Sequence, residues 1–264
     1  MPESEFASDR DRLAAAVQQA GSVAKSFFGG QFKQWNKVGD SPVTEADIAA
    51  NDILHKLLMA PGDGWLSEES ENDPTRLQAR RVWVIDPIDG TRAFIAGRED
   101  WSVSAALVVD GRPVAAALYA PVTDELFLAT VGEGAIRNGA PIRATTGNEL
   151  NGARVGGPKR MMERVVERGT GLVVLPRIHS LALRLARVAD GTLDAAVAGG
   201  NGHDWDLAAA DLLVHEAGGL MSGLDGRALT YNRPDPVHSV LIAAGRERHE
   251  ALVNVIRAQT SEPV

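Results

Sequence analysis

The stretch Trp83-Val84-Ile85-Asp86-Pro87-Ile88-Asp89-Gly90-Thr91 concentrates residues able to do chemistry. Two carboxylates three residues apart follow a β-branched run. Pro87 fixes one backbone angle and Gly90 frees another, so hard oxygen ligands are held in a small volume suited to Mg²⁺. Gly90 and Thr91 can also turn backbone N–H groups toward an anion if a helical turn begins there. The same residue types make an ordinary strand-ending turn, so this stretch needs further carboxylates before it reads as a site.

Three clusters supply them. Ser67-Glu68-Glu69-Ser70 follows a short strand expected at Trp65-Leu66, and its Glu pair either completes a metal cage begun by Asp86 or decorates a solvated loop. Thr44-Glu45-Ala46-Asp47 has the form of a helix-capping box, a role that leaves Asp47 free to face a site as well. His203-Asp204-Trp205-Asp206 opens a helix, where Asp206 either caps it or adds a third carboxylate to the cage. His203 reads as a structural residue of the helix entry.

These residues must be positioned by an ordinary folded chain. With 264 residues, 44% hydrophobic and 23% charged, it can bury a core without disulfides, and it contains no Cys. Lys and Arg total 27 against 35 Asp and Glu, a formal charge of −8 that argues against a nucleic acid polymer as partner. The same balance repels a small phosphorylated substrate unless bound cations reverse the field, so phosphate chemistry here implies metal. Met1 to Glu5 is acidic where a secretory signal would be basic. No apolar run approaches the roughly 20 residues of a membrane span, and the protein is expected to be cytoplasmic with no membrane partner.

Apolar residues at three- and four-residue steps predict a helix from Phe6 to Phe28, and a second carried by Ile48, Ile53, Leu54, Leu57 and Leu58. Val82 to Ile85 reads as a buried strand that stops where the acids begin. Val103 to Val109 and Val114 to Tyr119, joined at Asp110-Gly111, read as a hairpin, with Leu126 to Thr130 a third antiparallel strand. Beyond Asn151 helix and strand alternate: Met161 to Glu167 helical, Leu172 to Leu175 extended, Leu181 to Ala189 helical, Leu193 to Val197 extended, and Asp206 to Ala217 helical. Residues 1–150 are expected to form an α+β half with the main acidic motifs, and 151–264 a smaller α/β half that completes the cleft.

In this order the clusters resemble the inositol monophosphatase superfamily of Mg²⁺-dependent, typically lithium-sensitive phosphomonoesterases. Asp86 to Thr91 is similar to its first signature, and Trp205-Asp206 with Ala217-Gly218-Gly219 to its second. Glu68-Glu69 sits where the family has Gly-Glu-Glu, with Ser67 replacing the Gly. Val43-Thr44-x-x-Asp47, preceded by Lys37 and Asp40, resembles its mobile metal-binding loop. The resemblance runs from the first helix to about Gly245.

It implies an α/β fold, an α+β layered sandwich of alternating α and β layers like that of fructose-1,6-bisphosphatase, a homodimer, and two or three Mg²⁺ ions. Glu68, Asp86 and the Ile88 carbonyl would hold the first ion, and Asp86, Asp89 and Asp206 the second. The resemblance assigns catalysis to Glu68, Thr91 and Asp47: the first ion, Glu68 and Thr91 would prime a water, with Asp47 orienting Thr91. Asp89, Gly90, Thr91 and Asp206 would contact substrate. No phosphoenzyme and no Ser, Cys or His nucleophile is implied.

The expected reaction is hydrolysis of a small phosphate monoester. Ala198-Gly199-Gly200-Asn201-Gly202 offers no carboxylate where inositol-specific members have a Glu, which counts against a strict inositol enzyme. Asp40 to Asp47 and Tyr119-Ala120-Pro121-Val122 resemble the 3'(2'),5'-bisphosphate nucleotidase branch, and the first segment also the histidinol-phosphatase branch. Arg184, with Arg177, either meets a second phosphate or is a solvated surface arginine of its helix. The rival from another class is a metal-dependent phosphate-binding protein without turnover, against which the full ligand set with Thr91 and Asp47 argues.

Overall fold

The computed structural model describes residues 5–37, 41–167 and 169–260. Residues 1–4 of the acidic N-terminal run, and Val38 to Asp40 of the loop before Thr44, lie outside the described residues. The chain begins with α1 (Ala7–Phe27), a hairpin of β1 (Gln34–Asn36) and β2 (Pro42–Thr44), α2 (Glu45–Leu58) and β3 (Gly64–Ser67). Then come β4 (Arg81–Asp89), α3 (Thr91–Ile95), β5 (Ser102–Val109), β6 (Arg112–Ala120), β7 (Glu125–Thr130), β8 (Gly134–Arg137) and β9 (Ala140–Pro141). Strands β3 to β9 form one sheet in chain order, parallel between β3 and β4 and antiparallel elsewhere. Asp110 and Gly111, both at positive φ, make the two-residue turn between β5 and β6.

The remainder supplies β10 (Arg154–Gly156), α4 (Lys159–Glu167), β11 (Val173–Val174), α5 (Leu181–Ala189), β12 (Ala195–Ala198) and β13 (Gly202–His203). It ends with α6 (Asp204–Glu216), β14 (Gly219–Gly223), β15 (Val237–His238), β16 (Leu241–Gly245) and α7 (Arg246–Thr260). A second sheet takes the order β11-β10-β12-β16-β14, and β13 pairs with β15 apart from it.

The two-residue period of strand side chains sets the layers. In the first sheet Trp83, Ile85, Val103, Ala105 and Leu107 pack with Leu13, Val17 and Leu54 of α1 and α2. The alternate residues Val82, Val84, Ala106, Val108 and Leu118 pack with Leu185, Leu207 and Leu213 of α5 and α6, and that same cluster takes in Ala196, Leu241 and Ala243 of the second sheet. The far face of the second sheet, through Val155, Val197 and Ile242, meets Met162, Val165, Leu252 and Ile256 of α4 and α7. The result is the expected stack of alternating α and β layers. No described helix is long and apolar enough to cross a membrane.

Two boundaries differ from expectation in ways that matter for the site. β4 does not stop before the acids but runs through Asp89, with a register break: Asp86 pairs with Ser104 and Asp89 with Ser102. Three steps on β4 thus face two on β5, a one-residue bulge at the segment containing Pro87, which has no N–H to give to the ladder. Helix α6 starts at Asp204 with His203 as its cap, so Asp206 lies in the first turn and is not the cap residue. Helix α7 was not anticipated, because its buried positions Leu252, Val253 and Ile256 are diluted by charged residues.

Gly245 ends β16 so close to Thr145 that a Cβ there would run into the Thr145 backbone carbonyl. Gly245→Ala is expected to cost about 2 kcal/mol or more, at the upper side of ordinary overpacking. The check is a lower denaturation midpoint with an unchanged denaturant slope. A variant as stable as the parent would mean that the segment around Thr145 gives way freely.

Candidate active site

In a regular strand, residues three apart point to opposite faces. The bulge in β4 inserts one residue between Asp86 and Asp89 and so turns both carboxylates to the same side. The first turn of α6 brings Asp206 to meet them, and one oxygen from each of the three lies within 4.8 Å of the others. All three line a cleft of about 570 Å³ together with Glu68, Gly90 and Thr91. Only 1% of Asp86 and 6% of Asp89 is exposed, so the acids sit at the floor of the cleft and not on a solvated loop.

Each carboxylate is held by donors from its own surroundings. Asp86 Oδ1 accepts the Ile88 N–H at 3.0 Å, and Asp206 Oδ2 accepts the His203 N–H at 2.7 Å. Asp89 Oδ2 accepts the Ser180 hydroxyl and the Ala182 N–H, both at 2.6 Å, where α5 begins. One Asp89 oxygen is therefore tied to the scaffold, leaving the other for a ligand. Gly90 follows in the left-handed region at φ 96°, which favours glycine, and α3 starts at Thr91 directly behind it.

Asp47 combines both roles open to it in the sequence. Its Oδ2 accepts from the Thr44 N–H at 2.8 Å and the Thr44 hydroxyl at 2.6 Å, while the Ala46 N–H donates to Thr44 Oγ1 at 3.2 Å, completing the capping box of α2. Its Oδ1 lies 3.2 Å from the Thr91 hydroxyl, which is also 3.1 Å from the Ile88 carbonyl. Glu68 lines the cleft but lies outside the tight group of three, and Lys37 Nζ donates to it at 3.1 Å and to Glu69 at 2.7 Å.

Arg184 corrects an expectation. Its side chain is buried in α5 and does not line the cleft; among the described residues its guanidinium hydrogen-bonds the Ile178 carbonyl, at 3.5 Å, and it feels the charge of Asp89. Arg177 does line the cleft, as do Arg92, Arg98 and His179. His179 was missed because its partner, Asp100, is distant in the chain and neither has a local signature. Ser180 had a readable signal, a Ser immediately before the apolar run of α5, in the N-cap position.

A model of the inositol monophosphatase family matches residues 8–261, so the likeness extends past Gly245 through α7. The chain is 38% identical over 230 residues to a Streptomyces griseus protein named glucose-1-phosphate thymidylyltransferase, covering 81% of this chain and 86% of that one. It is 37% identical over 243 residues to a 3'-phosphoadenosine 5'-phosphate phosphatase of Mycobacterium leprae, 86% of this chain and 84% of the relative. Among solved structures, the Thermotoga maritima IMPase superposes with a TM-score of 0.84 at 26% identity, over 96% of this chain and 98% of that one.

Electrostatics supply the test of what the cluster can hold. Burial first, then the neighbouring Glu68, Asp89 and Asp206, pushes Asp86 well above the usual carboxylate range, and burial with Asp89 does the same to Asp206. Burial raises Asp89 to about 6 in spite of its donors on α5, and Asp47 to about 6 in spite of Thr44. Burial also carries Glu69 to about 7, against the hydrogen bond from Lys37. Burial alone would lower Lys37, yet Glu68 and Glu69 hold it above its ordinary value. Lys37 beside Glu68 and Glu69, and the buried Arg184 near Asp89, leave Asp86, Asp89 and Asp206 above their ordinary range, and a divalent cation fits the remaining need for positive charge at hard oxygen donors.

Folded-state values above unfolded ones mean that the penalty from these acids is absent at low pH. It grows as pH rises from the ordinary aspartate value of 3.8 toward about 6 for Asp47 and Asp89, and higher for Asp86 and Asp206. Adding Mg²⁺ is therefore expected to raise the thermal midpoint more at about pH 8 than at about pH 5, where protons compete for the same oxygens. Equal rises at both pH values, or none, would show that the cluster does not take the ion.

Proposed function

The chain belongs to the inositol monophosphatase family, and from that premise we propose that it hydrolyses a small phosphate monoester with Mg²⁺ as cofactor and water as nucleophile. The observation that carries this reading is the convergence of Asp86, Asp89 and Asp206, from β4 and α6, within 4.8 Å. Carboxylate oxygens without thiolate or imidazole suit Mg²⁺ among biological cations. Asp86, Asp89 and Asp206, with Glu68 and the Ile88 carbonyl, would hold two or three ions. Bound there, Mg²⁺ supplies a Lewis acid that polarises the phosphoryl group and lowers the pKa of water.

The protein's own groups would do the positioning. The Thr91 hydroxyl gives its hydrogen to Asp47 or Ile88 and keeps its lone pairs for a proton of the attacking water. Asp47, fixed by two donors from Thr44, sets the direction of that hydroxyl. Glu68 would exchange the ammonium of Lys37 for the cofactor, one positive partner for another. The N–H groups of Gly90 and Thr91 would donate to phosphoryl oxygens as charge builds on them.

The departing alcohol is a small polyol or a nucleotide. The second is favoured by the phosphatase named for a 3'-phosphonucleotide among the relatives and by the presence of Arg177 in the cleft. On the family resemblance alone we also propose a cytoplasmic homodimer.

The test is phosphate release from inositol 1-phosphate, adenosine 3',5'-bisphosphate, histidinol phosphate and fructose 1,6-bisphosphate, with Mg²⁺ and with chelator. Turnover is expected only with Mg²⁺, and Asp86→Asn is expected to reduce it to background. Thr91→Ala should lower kcat by about 10²-fold or more, as for loss of a proton-handling group, with KM changed far less. Binding without release would indicate a phosphate-binding protein. Pyrophosphate release from dTTP and glucose 1-phosphate would move the reading to the chemistry in the Streptomyces relative's name.

A further inference from the structure

Asp204 is a charged residue for which the chemistry of the cleft has no use. It opens α6 two residues before Asp206, and it is 0% exposed. A fourth negative charge so near the acids of the cleft adds to their repulsion unless it is matched where it sits. Its match does not line the cleft. His238 Nε2 donates to Asp204 Oδ1 at 2.7 Å and the Asn232 N–H to Oδ2 at 2.7 Å, while the Asp204 N–H donates to the Pro236 carbonyl at 2.9 Å. Both carboxylate oxygens and the backbone of Asp204 are thus engaged by one segment, residues 232–238.

That segment is tied down in turn by Arg76, 2% exposed in the 3₁₀ turn Pro74–Gln78. Arg76 donates from Nη1 to Asn232 Oδ1, from Nη2 to the Arg233 carbonyl at 3.0 Å and from Nε to Asn72 Oδ1 at 2.8 Å. The Asn232 amide returns a bond to the Arg76 carbonyl at 3.2 Å. Arg76 also feels the charge of Asp204, so two buried charges of opposite sign are joined across Asn232. Asn232 stands at φ 56°, in the left-handed region, which a non-glycine residue keeps where its surroundings impose it.

The link to the cation site runs through one strand pair. Asp206 Oδ2 is held by the His203 N–H, and His203 belongs to β13, whose two residues pair with Val237 and His238 of β15 outside both main sheets. An isolated ladder of two residues is too weak to fix its own register. The direction of the His203 N–H therefore depends on the Asp204–His238 pair. The body of α6 does not, because Leu207, Ala208, Leu213 and Val214 are packed between the sheets. Packing sets the helix, and the polar network sets its first turn.

We propose that Asp204 and His238, backed by Asn232 and Arg76, form a positioning network that aims the Asp206 carboxylate at the cation. The inference rests on the reading of this cleft as the Mg²⁺ site of a phosphatase. Neither Asp204 nor His238 lines the cleft, and both act through the His203 N–H.

The test is Mn²⁺ binding without substrate, read from the electron paramagnetic resonance signal of the free ion, since carboxylate oxygens suit Mn²⁺ as they do Mg²⁺. His238→Leu removes the donor to Asp204 and is expected to weaken Mn²⁺ binding by about tenfold or more, the scale for losing a group that orients a metal ligand. His238→Gln can return an amide N–H to the same oxygen, in a cavity of about 540 Å³ that His238 lines, and is expected to recover most of the affinity. Val214→Ala truncates a buried residue about two turns beyond Asp206, and should lower the denaturation midpoint while leaving Mn²⁺ affinity unchanged. Asn232→Gly suits the positive φ and keeps the N–H to Asp204, so it stays informative if His238→Leu does not fold. By cutting the bridge to Arg76 it should lose part of the affinity.

Weaker binding in His238→Leu, recovered in His238→Gln and unmoved in Val214→Ala, supports the network even if wild type releases no phosphate, a result that overturns only the phosphatase reading. Wild-type affinity in His238→Leu, or in Asn232→Gly where that variant alone folds, overturns the network. So does a loss that merely tracks stability across the variants. Absence of Mn²⁺ binding in wild type overturns the network and the cation reading together.

Discussion

Like charges buried together repel strongly in a low-dielectric interior, and the rest of the structure is arranged around keeping three such charges in place. Asp86, Asp89 and Asp206 would fly apart or protonate if left to themselves. What holds them is a set of donors, the N–H groups of Ile88, Ala182 and His203 and the Ser180 hydroxyl. Apart from the Ile88 N–H, which lies in β4, those donors sit at helix starts. Asp206 lies in the first turn of α6, Asp89 bonds the start of α5, and Asp47, which reaches Thr91, lies in the first turn of α2. Three helices thus direct their N-terminal ends, the positive ends of their dipoles, at one cleft, offsetting negative charge without adding a mobile cation.

That convergence needs the layered architecture. Helices α5 and α6 occupy the layer between the two sheets, and their apolar faces share a cluster that runs from Leu66 to Ala135 and again from Ala182 to Ala243. A helix confined between sheets on both sides cannot tilt or slide without opening one of them, so its start is a fixed point. The strand that supplies the other two carboxylates lies in the same sheet, with Val82 and Val84 in that cluster and Trp83 and Ile85 in the one on the opposite face. Sheet and helices therefore hold the carboxylate oxygens of the cleft in a shared frame, and Ser180 joins them directly.

Much of this was legible in the sequence where a local pattern carries the physics. The β-branched run before Asp86, the Asp110-Gly111 turn and the limits of α5 follow from side-chain period and turn chemistry, and α5 spans the expected Leu181 to Ala189. The bulge in β4 was not legible, because it depends on which residue of β5 faces which carboxylate. The short strands β8, β14 and β16 are individually too brief to show a period, and they become strands by pairing. At the site, the carboxylates were visible as residue types, but the distinction between Arg177 in the cleft and Arg184 behind it depends on the rotation of one helix. The His179–Asp100 contact joins segments 79 positions apart and leaves no local trace.

Asp47 and Asp206 show why motif residues of this kind resist assignment to a single role. Each closes a capping box at the start of its helix with one oxygen, Asp47 to the Thr44 N–H and Asp206 to the His203 N–H, and each has a second oxygen to offer elsewhere. Replacing either by Ala removes the cap and the charge together, so a loss of activity could come from a frayed helix. An Asn keeps an acceptor oxygen for the cap and removes only the charge. The cap contributes about 1 kcal/mol to the helix that carries it, whereas the charge acts on whatever cation the cleft holds. Placing the cap and a site-facing oxygen on one carboxylate ties the geometry of the site to the folding of the helix, so that oxygen is in position whenever the helix is formed.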